Sequence, residues 1–250
     1  MMSTAKISTF ALSLSKKLNR FPRFHNFARR IYCCFFPGIN FLIEKSFRYH
    51  KKIFVLKIGA NDGLENDPIA DFLMLDSRYT GVLVEPVPHY AKCLSKNYKN
   101  TGRFRIEQVA IAAISGTTNI YHIAENSNEV MGYNVPDWLR GIASLDRNLV
   151  LDQLSSQMHK LVVETSVESL TVNDLLTRLQ IRGIDLLHID AEGFDWIILQ
   201  QFNLSEIRPK VILFERKHLS QEDETAAVEY ITSAGFKVKS MESDFLCILE

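Results

Sequence analysis

Near residue 55 an apolar, largely β-branched run, Val55-Leu56-Lys57-Ile58, stops at Gly59-Ala60-Asn61-Asp62-Gly63. A second run, Val82-Leu83-Val84, stops at Glu85-Pro86. A strand ending in a glycine loop, then a helix, then a strand ending in an acid is the βαβ order that builds a nucleoside pocket. The first glycine permits the tight turn and lets a ligand sit against the backbone. The acid accepts hydrogen bonds from ribose hydroxyls. The loop reads G-A-N-D-G rather than G-x-G-x-x-G, so it lacks the spacing that cradles a pyrophosphate. S-adenosylmethionine is therefore a better expectation than a dinucleotide. The plainer alternative is an ordinary strand-to-helix turn.

With 250 residues the chain can bury one sizeable α/β core and still carry an extension. Its net charge of zero hides an asymmetry. Of the 29 Lys and Arg, eleven lie in residues 1–52, against one acid, Glu44, which leaves 18 bases and 28 acids in the remainder. An acidic core is poorly suited to tracking a phosphate backbone, so nucleic acid is not expected as a substrate. The basic arm interleaves Phe10, Leu12, Leu14, Leu18 and Phe21 with Lys16, Lys17, Arg20 and Arg23. Such an arm can lie on an anionic membrane surface, pack on the domain, or act as a targeting segment. Pro22 and Pro37-Gly38 break it into short helices. No apolar run reaches the ~18 residues of a membrane span. The four cysteines, Cys33, Cys34, Cys93 and Cys247, form no C-x-x-C, so free thiols in a reducing, cytoplasmic setting are expected.

From Ile53 onward strand and helix patterns alternate. Strands are expected at Ile53–Ile58, Gly81–Glu85, Phe104–Ala110, Ile184–Asp190 and Lys210–Glu215, with a closing hairpin of Phe236–Met241 and Phe245–Leu249. Asp67-Pro68 reads as a helix start. Helices are expected at His89–Tyr98, Phe194–Phe202 and Glu222–Ala234, and Thr171 with Asp174 reads as a cap for Val172–Leu179. Thr117–Ala124 and Leu161–Ser169 read as extra strands. Residues 125–160 mix Asn, Gly, Pro and Trp with helical fragments, the pattern of a lid or acceptor-binding insertion. The expected fold is α/β and Rossmann-like: a mostly parallel, seven-stranded sheet whose C-terminal antiparallel hairpin marks the class I methyltransferase variant. The expected domain spans residues 53–250.

Four ordered blocks carry a family resemblance over roughly Phe54–Leu249: Ile58-Gly59-Ala60-Asn61-Asp62-Gly63, Val84-Glu85-Pro86, Ile142-Ala143-Ser144-Leu145 and His188-Ile189-Asp190-Ala191-Glu192-Gly193. Together they resemble the FkbM family of S-adenosylmethionine-dependent methyltransferases. The resemblance implies methyl transfer to oxygen, often on a saccharide or a natural-product hydroxyl. Methyltransferases of this class usually carry an acid or amide two residues before the loop glycine. Here Lys57 stands there, either repelling the sulfonium or turning away to pair with a nearby acid.

In this frame Gly59, Ala60, Asn61, Asp62 and Gly63 would line the methionine and ribose side of the cofactor. Glu85, followed by Pro86, would hold the ribose diol, since a carboxylate offers two acceptor oxygens to two adjacent hydroxyls. Gln108 and Ala110 would lie near the adenine, unless they only pack the sheet. Asp190, at the carboxyl end of a strand, lies where open α/β sheets place ligands. With Glu192 and Asp195 it suits a site that handles a cation, although acids there also favour a helix start. An alcohol needs a general base. Glu215 and His218 are the preferred candidates, with His188 and His122 behind them. Trp138, Arg140, Ser144 and Asp146 in the insertion would cover the acceptor. No metal site is expected. No G-x-S-x-G, H-E-x-x-H or P-loop occurs, and no Asn/Asp-Pro-Pro-aromatic turn of base-amine methylation follows the fourth strand. The competing readings are a nicotinamide-dependent oxidoreductase and a non-catalytic, membrane-associated adaptor.

Overall fold

The computed structural model describes residues 38–250. The chain divides into two compact units, residues 1–48 and 49–250. Of the first, the described part is a helix, α1 (Ile39–Ser46), entered from Gly38. The basic, aromatic stretch before it, with its expected short helices, lies outside the described residues.

The second unit is built on a sheet that starts with β1 (Ile53–Ile58). After α2 (Ala70–Leu75) comes β2 (Tyr79–Val84), then α3 (Pro88–Tyr98) and β3 (Phe104–Glu107). Further along are α7 (Val172–Leu179), β8 (Leu186–Ile189), α8 (Asp195–Leu199), β9 (Val211–Glu215), α9 (Gln221–Ser233), β10 (Phe236–Ser240) and β11 (Asp244–Leu249). The seven strands lie in the order β10-β11-β9-β8-β1-β2-β3. β11 runs antiparallel to both neighbours, and the pairs among β9, β8, β1, β2 and β3 are parallel. Sequence order reverses beside β1, and ligands bind at such a switch point, outside the carboxyl ends of the strands.

Alternation along the strands sorts their side chains. One face presents Leu56, Ile58, Val84, Leu187, Ile189, Ile212 and Phe214 to Leu175 of α7, Ile198 of α8 and Ile231 of α9. The cap expected at Thr171 forms, its Oγ1 accepting from the Asp174 amide at 3.1 Å. Ser220 caps α9 in the same way, its Oγ accepting from the Asp223 amide at 3.0 Å. Gly81 is needed where β2 passes β1: at φ +153° a Cβ there would lie 1.9 Å from the Val55 carbonyl oxygen.

Two expectations change. Phe104–Ala110 is not one strand. β3 ends at Glu107, whose carbonyl takes the Glu85 amide at 3.0 Å. The chain then leaves the sheet, and Ala110–Ile111 (β4) pairs with Ser169 and Leu170 instead. The extra strands also belong to a sheet of their own. β5 (Gly116–Ile123), β6 (Ala143–Ser144) and β7 (Val162–Leu170) join β4 in the order β4-β7-β5-β6. Between β5 and β7 lie α4 (Ser127–Met131), α5 (Asp137–Arg140) and α6 (Arg147–Asp152). Ile123, Val135, Leu139, Ile142, Val150 and Leu161 give this insertion a core of its own, so it is a folded wall rather than a loose loop. Before α2 the Asp67 side chain accepts from the Ile69 amide at 2.9 Å, but Asp67 stands two residues ahead of the helix cap, Ile69, and Pro68 lies outside the helix.

Among the described residues no helix is long and apolar enough to cross a membrane. Cys93 and Cys247 are free thiols, and burial pushes Cys247 up to about 12.

Two glycine substitutions separate packing from backbone strain. Gly102, at φ +61°, has nothing within 4 Å of an added Cβ. Urea denaturation should show Gly102→Ala losing about 1 kcal/mol, the cost of a left-handed alanine. Gly81→Ala should lose about 3 kcal/mol or more, because the neighbouring backbone must move. Equal losses would contradict this account of the β1–β2 contact.

Candidate active site

The carboxyl ends of β1, β2 and β8 open into one cavity of about 340 Å³, within the range of small-molecule sites. Its wall includes Gly59, Ala60, Asn61 and Asp62 after β1, Glu85 and Pro86 after β2, and Asp190, Ala191 and Glu192 after β8. Trp138, Arg140, Gly141, Ser144 and Leu145 close it from the insertion side.

Gly59 lets these loops meet. At φ +76° its missing Cβ would fall 1.6 Å from the Asp190 carbonyl oxygen, so a side chain there would push the two strand ends apart. Asn61 follows at φ 49°, where asparagine is tolerated better than most residues. Its amide nitrogen Nδ2 donates to the Gly141 carbonyl at 3.0 Å, which ties the loop to the insertion. The Tyr90 hydroxyl makes a second tie, donating to the Arg140 carbonyl. Gly63 plays a different part. An added Cβ would meet Leu94 and Tyr98 at 2.5 Å, so it serves the packing of α3 and is not among the cavity residues.

Glu85 is 4% exposed. Its Oε2 accepts from the Asn61 amide at 2.7 Å and its Oε1 from the Val87 amide at 2.9 Å. Each oxygen keeps a further lone pair. Burial pushes the carboxyl up to about 7, with the two amides and then Lys57 opposing the rise. Asp190 rises to about 6, again by burial first, with Lys57 opposing. Asp195 reaches about 7 through burial and then the charge of Asp190. It accepts from the Ala191 and Gly193 amides at 3.2 and 3.1 Å and so holds the turn after β8 in place.

Lys57, 2% exposed, lines the cavity together with Glu85 and Asp190. It turns to a partner: Nζ is 3.4 Å from Asp67 Oδ2 and donates to His188 Nδ1 at 2.8 Å. Burial, then the Lys57 charge, holds His188 well below its ordinary range. The ring is neutral, with Nδ1 as acceptor. His188 and His122 both lie away from the cavity. His122 is buried in the second sheet, its Nε2 2.8 Å from Thr165 Oγ1.

Glu215 and His218 stand behind Glu192 rather than in the cavity wall. His218 Nε2 is 3.2 Å from Glu192 Oε2 and 3.9 Å from Glu215 Oε2. Burial, then the charges of Asp190, Glu192 and Asp195, pushes Glu215 up to about 9. Of the other expected residues, Ala110 lines the cavity, whereas Gln108 is exposed and Val109 takes the lining position. Asp146 caps α6, accepting from the Asn148 amide at 2.8 Å. Sequence reading missed His89, Tyr90 and Cys93, which line the cavity from α3. Their signal is the i, i+1, i+4 placement in the helix directly after Glu85.

Residues 57–238 match the sequence profile of the methyltransferase FkbM domain. The chain belongs to the FkbM methyltransferase family. The match covers most of the chain and both strand-end motifs, and it sets the nicotinamide-dependent reading aside. No curated protein sequence matches. Among solved structures, the FkbM methyltransferase from Methylobacillus flagellatus KT is 12% identical, with a TM-score of 0.49 over 95% of this chain and 57% of that one. This chain thus spans little more than half of that relative's length. An O-methyltransferase from Bacillus cereus, in complex with SAH, is 11% identical with a TM-score of 0.45, over 84% of this chain and 79% of that one. Fibrillarin from Methanococcus jannaschii, a pre-rRNA processing protein, is 11% identical with a TM-score of 0.40, over 80% and 67%.

The raised position of Glu85 fixes a pH signature for this FkbM domain. Its unfolded value is about 4.5 and its folded value about 7. Between these the folded state holds a proton that the unfolded state has lost. Stability from this group is complete below about 4.5 and is lost as pH rises through 7. Glu85→Gln removes the effect. Denaturation curves at pH 4.5 and pH 8 should show the variant gaining on the parent by roughly 3 kcal/mol over that span. A difference independent of pH would contradict the buried, proton-holding carboxyl.

Proposed function

We propose that this FkbM domain binds S-adenosylmethionine in the cavity and transfers its methyl group to a hydroxyl, with a saccharide or surface glycan as the acceptor class. The reading rests on one observation: the Gly59–Asp62 loop, Glu85 and Asp190, from three different strands, line the same cavity. The residues fit the ligand. The Gly59 backbone lines the cavity, Glu85 has lone pairs left for a vicinal diol, and Asp190 offers negative charge to a cationic group.

Bound there, S-adenosylmethionine would supply a methyl group made electrophilic by its sulfonium. The chain supplies alignment and exclusion of water. Glu85, held rigid by two backbone amides, would fix the ribose. Asp190 would attract the sulfonium or the amino group of the methionine end. Lys57 does not compete for that place, because its charge is engaged by Asp67. Trp138, 55% exposed at the cavity wall, offers a flat face on which a sugar ring can stack. Glu192 stands in the wall with Glu215 and His218 behind it, so this group is the candidate for receiving the hydroxyl proton.

Isothermal calorimetry with S-adenosylhomocysteine tests the first step. The full chain should bind one equivalent, and Glu85→Ala should weaken binding by 10- to 100-fold, as expected for lost bonds to a charged acceptor. Mass spectrometry of candidate oligosaccharides incubated with S-adenosylmethionine should then show one added methyl. Failure of the parent chain to bind either adenosyl compound would overturn the proposal.

A further inference from the structure

We infer that Glu192, Glu215 and His218 form a divalent-cation site behind the cavity wall at Glu192. One carboxylate oxygen from each glutamate and one imidazole nitrogen lie within 4.8 Å of one another. His218 Nε2 stands 3.2 Å from the Glu192 oxygen and 3.9 Å from the Glu215 oxygen. Ligand atoms at about 2.1 Å from a common ion lie roughly 3 to 4 Å apart, so the three atoms need only small movements to share one.

A second observation concerns what these atoms lack. Glu215 Oε2 and His218 Nε2 are both buried and have no hydrogen-bond partner, although buried polar atoms are nearly always satisfied. Their proximity to each other is therefore not a formed hydrogen bond. A metal ion satisfies all three groups at once. The fold also orients them. Glu215 ends β9, and His218 follows in the next turn. Glu192 is positioned by its φ of 45° and by Gln153, whose Nε2 donates to Glu192 Oε2 at 3.1 Å. Ligand groups held by such outer contacts are a mark of built metal sites.

Two carboxylates with one imidazole suit a first-row ion of intermediate hardness, with Mn²⁺ as the probe. Three protein ligands leave coordination positions open. Glu192 belongs to both the cavity wall and this cluster, so the ion would border the cavity. Its role there rests on the proposed function: an open position would take the acceptor hydroxyl and lower its pKa, as metals do for bound water, and the proton would pass to the Glu192 carboxylate oxygen that does not hold the ion.

The test is binding of Mn²⁺ alone to the full chain, followed by the loss of the free-ion electron paramagnetic resonance signal. One ion per chain is expected, with affinity at least tenfold weaker in both Glu215→Gln and His218→Gln, and circular dichroism reporting that each variant is folded. Absence of stoichiometric binding by the parent chain up to 1 mM Mn²⁺, a ceiling set by roughly 4 kcal/mol of binding free energy, would overturn the inference. So would binding of equal strength in the two folded variants. Because this readout involves neither methyl donor nor acceptor, it fails independently of the proposed reaction. Methyl transfer that proceeds without metal binding would sink the site and leave the reaction standing.

Discussion

The ends of β1, β2, β8 and β9 gather carboxyl groups in a space that water reaches poorly, and a buried lysine offsets part of that charge. Lys57 pairs with Asp67 and lowers Glu85, Asp190 and Asp244 against the rise that burial imposes. Several buried acids with no positive charge among them would stay protonated or force the strand ends apart. Lys57 removes part of that cost while its own charge is engaged by Asp67. The remaining negative potential is what a cationic ligand meets.

That arrangement requires the strand ends to stand very close. Gly59 brings the first loop against the Asp190 carbonyl, and Gly81 brings β2 against β1. The insertion then closes the open side through the Asn61–Gly141 and Tyr90–Arg140 contacts. Ser144 Oγ adds a bond to the Glu192 carbonyl at 2.8 Å. Cavity shape and charge thus depend on the same few backbone approaches.

Much of this was readable from the residues, for physical reasons. Periodicity located β1, α7 and the closing hairpin, because buried strands and capped helices leave local patterns. Glycine followed by an acid located Gly59 and Glu85, because the backbone and charge requirements at those points are narrow. The second sheet escaped because its pairing is non-local: β5 meets β7 across the whole insertion, and no local pattern announces a partner over that distance. Phe104–Ala110 looked like one strand since both pieces are β-formers, and the break depends on which sheet claims each piece. The place of Gly63 in the loop points to the cofactor wall, whereas its requirement comes from Leu94 and Tyr98. The partner of Lys57 could not be named either, since the Asp67 side chain is also consistent with a simple helix start.

The central claim is that the carboxyl ends of β1, β2 and β8 form one adenosyl site. A crystal structure of the chain soaked with S-adenosylhomocysteine tests it most directly. The ribose hydroxyls should sit within hydrogen-bond distance of the Glu85 carboxylate, with the methionine end toward Asp190. Ligand density elsewhere, with Glu85 still bound only to the amides of Asn61 and Val87, would contradict it.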